Sequence, residues 1–187
     1  KDNIKEKDDF LKKFESNEFK LELKNYTNNL QKVYLKYNIK FSMIYSMQAI
    51  DKAFDTGLVK EDKLFVEYYL TAAKVINDIE KSTYRKEYLV NFSEDLFEKD
   101  QKILRLLEII NNPTLQDRII IEIDYELLKQ YKDKIYEMVS NGYKIAIKLD
   151  ENFIGDELEV QRLSLFKYVI VNNENDLLKG LDNLIII

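Results

Sequence analysis

Two periodicities alternate along the second half of the chain. Tyr88-Leu89-Val90-Asn91-Phe92 is a short apolar run that reads as a strand. Glu94–Asn111 then returns to helical spacing, with Phe97, Leu104, Leu107 and either Ile109 or Ile110 on one face, and Ser93 stands where an N-cap belongs. Arg118–Ile123 is a β-branched run of the kind that fills a buried parallel strand. Glu126–Asn141 puts Leu127, Tyr131, Ile135 and Met138 on one stripe, and Gly142 sits at the C′ position of that helix. Tyr143–Leu149 reads as a strand, Gly155–Ser164 as a short helix and Lys167–Val171 as a strand. Asn175–Asp182 reads as a helix and Leu184–Ile187 as a last strand. The sharpest break is Asn111-Asn112-Pro113, because the residue before a proline is pushed out of the helical region.

The first half is less regular. Phe10–Glu15 has helical spacing, and Phe19–Tyr26 and Gln31–Tyr45 read as extended, with Thr27-Asn28-Asn29 as the turn between them. Asp62–Ile79 aligns Leu64, Tyr68, Ala72, Val75 and Ile79 as a long amphipathic helix. The count comes to about seven strands. Strand followed by helix, repeated, with strands apolar on both faces, predicts a parallel sheet with helices packed outside it. A closed (β/α)8 barrel takes eight strands and typically about 250 residues. With 187 residues, the expectation is a TIM-like (β/α) barrel that is incomplete. One domain over 1–187 is expected, with an opening helix over 1–17 and the barrel over 18–187.

Composition narrows the chemistry. Hydrophobic residues make up 45% and charged residues 34%, enough apolar material for a packed core rather than a disordered chain. There is no Cys, which excludes disulfides, zinc–thiolate sites and a cysteine nucleophile. There is no His, which removes the commonest acid/base group and transition-metal ligand. Catalysis would have to use carboxylates, Lys, Tyr, Ser/Thr or a hard metal ion. The 29 Lys+Arg and 34 Asp+Glu give a net charge of −5, with the signs interleaved, so no basic face for a nucleic-acid polymer is expected. Lys1–Lys13 also carries Asp2, Glu6, Asp8 and Asp9 and reads as a solvated helix start. No apolar run approaches the roughly 18–20 residues that span a bilayer, and no signal peptide is visible. A cytoplasmic domain without membrane insertion is the expectation. The first residue is Lys rather than Met, which suggests a piece of a larger protein.

Several ordered segments together resemble EAL domains, the bacterial cyclic-di-GMP phosphodiesterases. Phe10-Leu11 followed by Glu18-Phe19-Lys20-Leu21-Glu22-Leu23 resembles the family's first helix and strand. Ile50-Asp51-Lys52-Ala53-Phe54-Asp55-Thr56-Gly57-Leu58-Val59 is similar to its "FI-x-x-AE-x-x-GLI" segment. Val90-Asn91-Phe92-Ser93 resembles "vNxS", and Ile121-Glu122-Ile123-Asp124-Tyr125 resembles "lEiTE". Gly142-Tyr143-Lys144-Ile145-Ala146-Ile147 resembles the approach to "DDFG", and Tyr168-Val169-Ile170-Val171-Asn172 the strand written "yiKiD". Each match is a few residues long, and their order and spacing carry the resemblance. It implies a barrel with Mg²⁺ or Mn²⁺ held by carboxylates at the C-terminal strand ends, where metal-activated water attacks a phosphodiester and a Lys orients that water.

The same resemblance exposes departures. Ser42 stands where the metal-binding Glu that names the family is expected, and Ser46 where a ligand-contacting Arg is expected. Lys148 and Leu149 replace the paired aspartates, Ile170 the orienting Lys, Asn172 the following Asp, and Tyr125 the second Glu of "lEiTE", which in the family steadies a catalytic loop. Asn91 and Glu122 keep the ligand types. A second register remains open: a slip of two residues sets Asp150 and Glu151 against the paired aspartates and keeps the same strand faces. Glu122 and Asn91 each also fit a bland role. Glu122 would be a strand carboxylate satisfied by a nearby Lys or backbone donor, and Asn91 an amide bonding the next loop.

The deficit of carboxylates implies a catalytically inactive regulatory or interaction module of a signalling protein, with no cofactor expected. The alternatives are a cyclic-di-GMP receptor that does not hydrolyse it and, third, an active Mg/Mn-dependent phosphodiesterase using Asp150, Glu151, Glu122 and Asn91. The bare apolar strand Leu184–Ile187 suggests an edge covered by further chain or by a second copy. Because dimers are common in the family, the resemblance implies a homodimer, or a neighbouring signalling domain as partner.

Overall fold

Seven strands occur among the described residues, and they lie in one sheet in the order of the chain. They are β1 (Phe19–Asn25), β2 (Leu30–Tyr37), β3 (Glu87–Asn91), β4 (Ile119–Asp124), β5 (Lys144–Lys148), β6 (Tyr168–Val171) and β7 (Leu184–Ile186). The pairings from β2 through β7 are all parallel. The structure is a computed structural model and describes residues 19–27, 30–37, 75–76, 78–81, 86–98 and 100–187. The sequential order agrees with the expected count of seven, and from β2 to β7 it is that of a parallel α/β sheet.

The chain divides into two compact units, Lys1–Leu23 with Val33–Lys81, and Lys24–Lys32 with Ser82–Ile187. In the first unit the described residues are the strand segments 19–23 and 33–37 and the helical residues 75–76 and 78–81. Val75 and Ile79 are buried there, as their four-residue spacing predicts. The expected opening helix, most of the Asp62–Ile79 helix and the Ile50–Val59 segment lie outside the described residues. So does the expected continuation of β2 beyond Tyr37.

In the second unit the helices cross between neighbouring strands. They are α1 (Glu94–Phe97), α2 (Asp100–Ile109), α3 (Pro113–Arg118), α4 (Tyr125–Gln130), α5 (Lys132–Ser140) and α6 (Glu157–Leu163), with a 3-10 turn at Asp176–Leu178. Pro113 stops one helix, as expected, and it also starts another. It occupies the first turn of α3, where its missing N–H costs nothing, and the Asn112 side chain accepts from the Leu115 N–H at 2.9 Å. Strand β4 therefore begins at Ile119, and Arg118 ends the helix before it.

The two long helices read from the periodicity are each broken. Glu94–Phe97 and Asp100–Ile109 are separate helices, and Ser93 caps the first with an extended backbone but no side-chain cap bond. At Tyr131 the backbone turns to φ −118°, ψ 38°. The hydrogen bonds from Tyr131 N to Leu127 O and from Ile135 N to Tyr131 O persist at 2.9 and 3.0 Å, so the apolar stripe runs on through the distortion. Gly142 ends α5 with φ +94°, a left-handed conformation suited to glycine. The helix expected over Asn175–Asp182 is only the 3-10 turn, begun by the Asn175 side chain accepting from Leu177 N at 3.0 Å.

The sheet of the second unit is buried on both faces. Alternation sends Tyr88, Val90, Ile119, Ile121, Ile123, Ile145, Ile147, Val169 and Val171 to one face, all buried. The other face carries a cluster of Leu30, Leu89, Ile120, Ala146, Ile170 and Ile185, with Tyr26 and Tyr168 packed against it. This second face is concave. Tyr168 on β6 donates its hydroxyl to Glu87 on β3, although three strand spacings separate them by about 14 Å on a flat sheet. Only a curled sheet brings those side chains together.

Candidate functional site

Two residues beyond the apolar cluster, toward the C-terminal ends of the strands, the concave face turns polar. Parallel strand pairing keeps partners on one face, and Asn91 on β3 is paired with Glu122 on β4. Asp124 is paired with Lys148 on β5. Asn172 follows β6 in the same parity. The structure thus brings Asn91, Glu122, Lys148 and Asn172 together at one rim, the edge of an α/β sheet where ligands commonly bind.

The centre of the rim is Glu122, which is 4% exposed. Its Oε1 receives the ammonium of Lys32, a buried residue of β2, in an ion pair and hydrogen bond. Asn91 Nδ2 donates to the same oxygen at 3.2 Å. Lys32 is level with Leu89 in the register, and its four-carbon stem runs along the apolar layer before the ammonium reaches Glu122. The other carboxylate oxygen, Oε2, is buried without a hydrogen-bond partner. A buried carboxylate needs a paired cation, and Lys32 supplies it.

Asp124 and Lys148 extend the cluster outward. Partial burial pushes the Asp124 carboxyl above its usual range, and the negative charges of Glu122 and Asp150 add to the shift, against Lys32 and Lys148. Partial burial lowers the Lys148 ammonium and Lys32 adds to this, while Glu122, Asp124 and Asp150 oppose it. Lys148 Nζ donates to Asn172 Oδ1 at 2.7 Å. Two ammonium groups therefore stand among three carboxylates.

The remaining described residues singled out in the sequence make no hydrogen bond to the rim, although Asp150 stands near enough to add its charge. Leu149 is buried, 1% exposed, and Ile170 sits in the apolar cluster. Asp150 and Glu151 are exposed in the turn after β5, where Glu151 Oε1 accepts from Asn173 Nδ2 at 3.3 Å. β5 ends at Lys148, short of the two-residue extension that the shifted register requires. Tyr125 opens α4 and donates its hydroxyl to Glu159 Oε2 at 3.0 Å. Burial first, then that bond, pushes the phenol up to about 12. Ser42 and Ser46 lie outside the described residues.

Lys32 and Asp124 were not singled out from the sequence. A signal existed for Asp124: it lies two residues from Glu122 on one strand and so must share its face. Lys32 carried none, since a lysine in a strand ordinarily points to solvent, and its partner lies 90 residues on.

The resemblance implies Mg²⁺ or Mn²⁺ at such a rim, and the donor set does not fit them. A pair of divalent cations needs several anionic oxygens at about 2.0–2.5 Å. Here the central carboxylate is already neutralised by Lys32, Asn91 offers its amide N–H rather than its oxygen, and Lys148 adds a second positive charge. Among the described residues no three acidic side chains converge to hold a metal ion. No helix among them is long and apolar enough to cross a membrane. No family model matches the chain, and no curated protein matches it.

Proposed function

We propose that this chain is a degenerate EAL-like domain of the (β/α) barrel class, a catalytically silent regulatory or protein-interaction module of a bacterial cytoplasmic signalling protein. The observation that supports the reading best is the Lys32 ammonium seated on Glu122. A divalent cation about 4 Å from that ammonium would meet a repulsion of about 8 kcal/mol at an effective dielectric of 20. The carboxylate that would hold a metal holds a lysine instead, so the rim can keep its shape without a cation from solution. The sequential parallel sheet and the polar strand ends agree with this reading. The test is a phosphodiesterase assay on cyclic-di-GMP with Mg²⁺ or Mn²⁺. No turnover is expected. Robust turnover that Glu122→Gln abolishes would refute the proposal.

A second reading, a receptor that binds cyclic-di-GMP without cleaving it, draws on the same two cations. Lys148 is half-buried at the rim beside Asn172 and could meet a phosphate. Calorimetric titration separates the readings: absence of heat at high micromolar cyclic-di-GMP removes the receptor. The module would act through a protein partner, either a second copy or a neighbouring domain. β7 ends the sheet order and exposes Ile186 at 47%, an edge that a partner strand can cover. A monomer in sedimentation at high concentration would remove the homodimer.

A further inference from the structure

We propose that a cleft on the helical layer, between α4, α5 and α6, is a binding site for a nucleoside monophosphate. Its cavity of about 300 Å³ is lined by Tyr125, Lys132, Tyr136, Glu159 and Arg162, over a floor that includes Leu128 and Leu163. It shares no residue with the rim around Glu122, and it stands whether or not the proposed function holds.

Three features of the lining converge on one ligand chemistry. Lys132 and Arg162 are exposed cations that make no ion pair among the described residues, and both border the cleft. Arg and Lys together suit a phosphate, Arg by its planar fork and Lys as a point charge. Tyr125 and Tyr136 present aromatic surface in the same cleft, and both rings are held by their own contacts. Tyr125 meets Phe153 edge-on at 5.0 Å, and Tyr136 stacks on Phe166 at 5.8 Å. A fixed ring is a ready surface for a flat heterocycle. Glu159 uses one carboxylate oxygen to accept from Tyr125 and has a second oxygen to accept an N–H. A base carries such N–H groups and a plain phenyl ring does not, so Glu159 favours a nucleotide over an aryl phosphate.

The local fold explains the arrangement. The distortion at Tyr131 separates α4 from α5, yet Lys129 and Lys132 both reach the cleft. Lys129 is already engaged, paired with Glu126 at 2.8 Å and placed over the Tyr125 ring at 5.3 Å. It therefore steadies the aromatic wall, while Lys132 and Arg162 remain for the anion. Asp156 caps α6 by accepting from Glu159 N at 2.8 Å, which fixes the turn that carries Glu159.

The test is calorimetry on the whole chain with adenosine 5′-monophosphate, and with adenosine and inorganic phosphate as separate probes. Saturable binding of the monophosphate is expected, with both single probes at least about tenfold weaker. Lys132→Gln and Arg162→Gln are each expected to weaken it about tenfold, with circular dichroism unchanged because both positions are exposed. Lys179→Gln, in a surface pair with Asp176 outside the lining, is expected to leave it unchanged. Lack of saturation at millimolar monophosphate overturns the proposal. So does equal affinity for phosphate or adenosine alone, or unaltered affinity in the folded Lys132→Gln/Arg162→Gln double variant. The comparison among the three probes needs no variant, so the proposal stays testable even if a substitution unfolds the chain.

Discussion

The same strands carry two different layers on one face. Leu89, Ile120, Ala146 and Ile170 make an apolar layer, and two residues further along the chain Asn91, Glu122, Lys148 and, just past the end of β6, Asn172 make a polar one. Backbone parity is identical in the two layers, so local geometry does not distinguish them. The difference is in what holds each layer. The apolar layer gains from any neighbour of the right size, at roughly 25 cal/mol per Å² removed from water. The polar layer is stable only while its charges are matched, because an unpaired buried carboxylate is far costlier than a missing methyl group. A rim of this kind keeps its partners or loses its structure.

The sharpest way to break the comparison is to remove one partner at the rim. Lys32→Ala leaves Glu122 charged and buried, and urea denaturation should show a loss of about 3–5 kcal/mol. The double change Lys32→Met with Glu122→Leu removes both charges at similar volume and should cost far less than the single change. If the single and double variants are equally destabilised, the layer is held by packing and the distinction fails. Asn91→Leu should cost about 1.5–3 kcal/mol, since it removes a hydrogen bond to a charged group. Ile120→Val, in the apolar layer, should cost only about 0.5–1.5 kcal/mol. A larger loss at Ile120 than at Lys32 would invert the comparison.

What the sequence made legible follows the same division. Apolar runs were enough to place the strands, because both faces of the sheet are buried and continuous runs of Ile and Val have no other use. Pro113 and Gly142 marked boundaries because their backbone constraints are local. The break at Tyr131 was hidden, since the stripe of Leu127, Ile135 and Met138 continues across it and the ladder bonds survive. The α3 helix is hidden for a different reason: in the sequence Pro113 reads only as a stop, while its role as a start depends on the Asn112 cap. At the rim, Asn91 and Glu122 could be paired by strand logic, and the structure puts them 3.2 Å apart. Lys32 could not, because its partner is two strands away in the sheet and 90 residues away in the chain.

The smallest effect sharpens the account most, because its sign reports which charges dominate at the rim. Asp124 is exposed, yet its carboxyl is pushed above 3.8, first by partial burial and then by Glu122 and Asp150. The folded chain therefore holds that proton more tightly than the unfolded chain does. Asp124 subtracts from stability once pH rises through its folded pKa, and it subtracts nothing below the unfolded value. Asp124→Asn should melt slightly higher than the parent at pH 7, and the advantage should shrink on acidification and vanish by about pH 3. Solvent screening keeps the effect small. A constant difference at both pH values would mean that the asparagine acts through packing alone. A parent that melts higher at pH 7 would mean that Lys32 and Lys148 outweigh the neighbouring carboxylates. The rim would then be an electropositive mouth suited to phosphate, and the receptor reading would gain over the silent one.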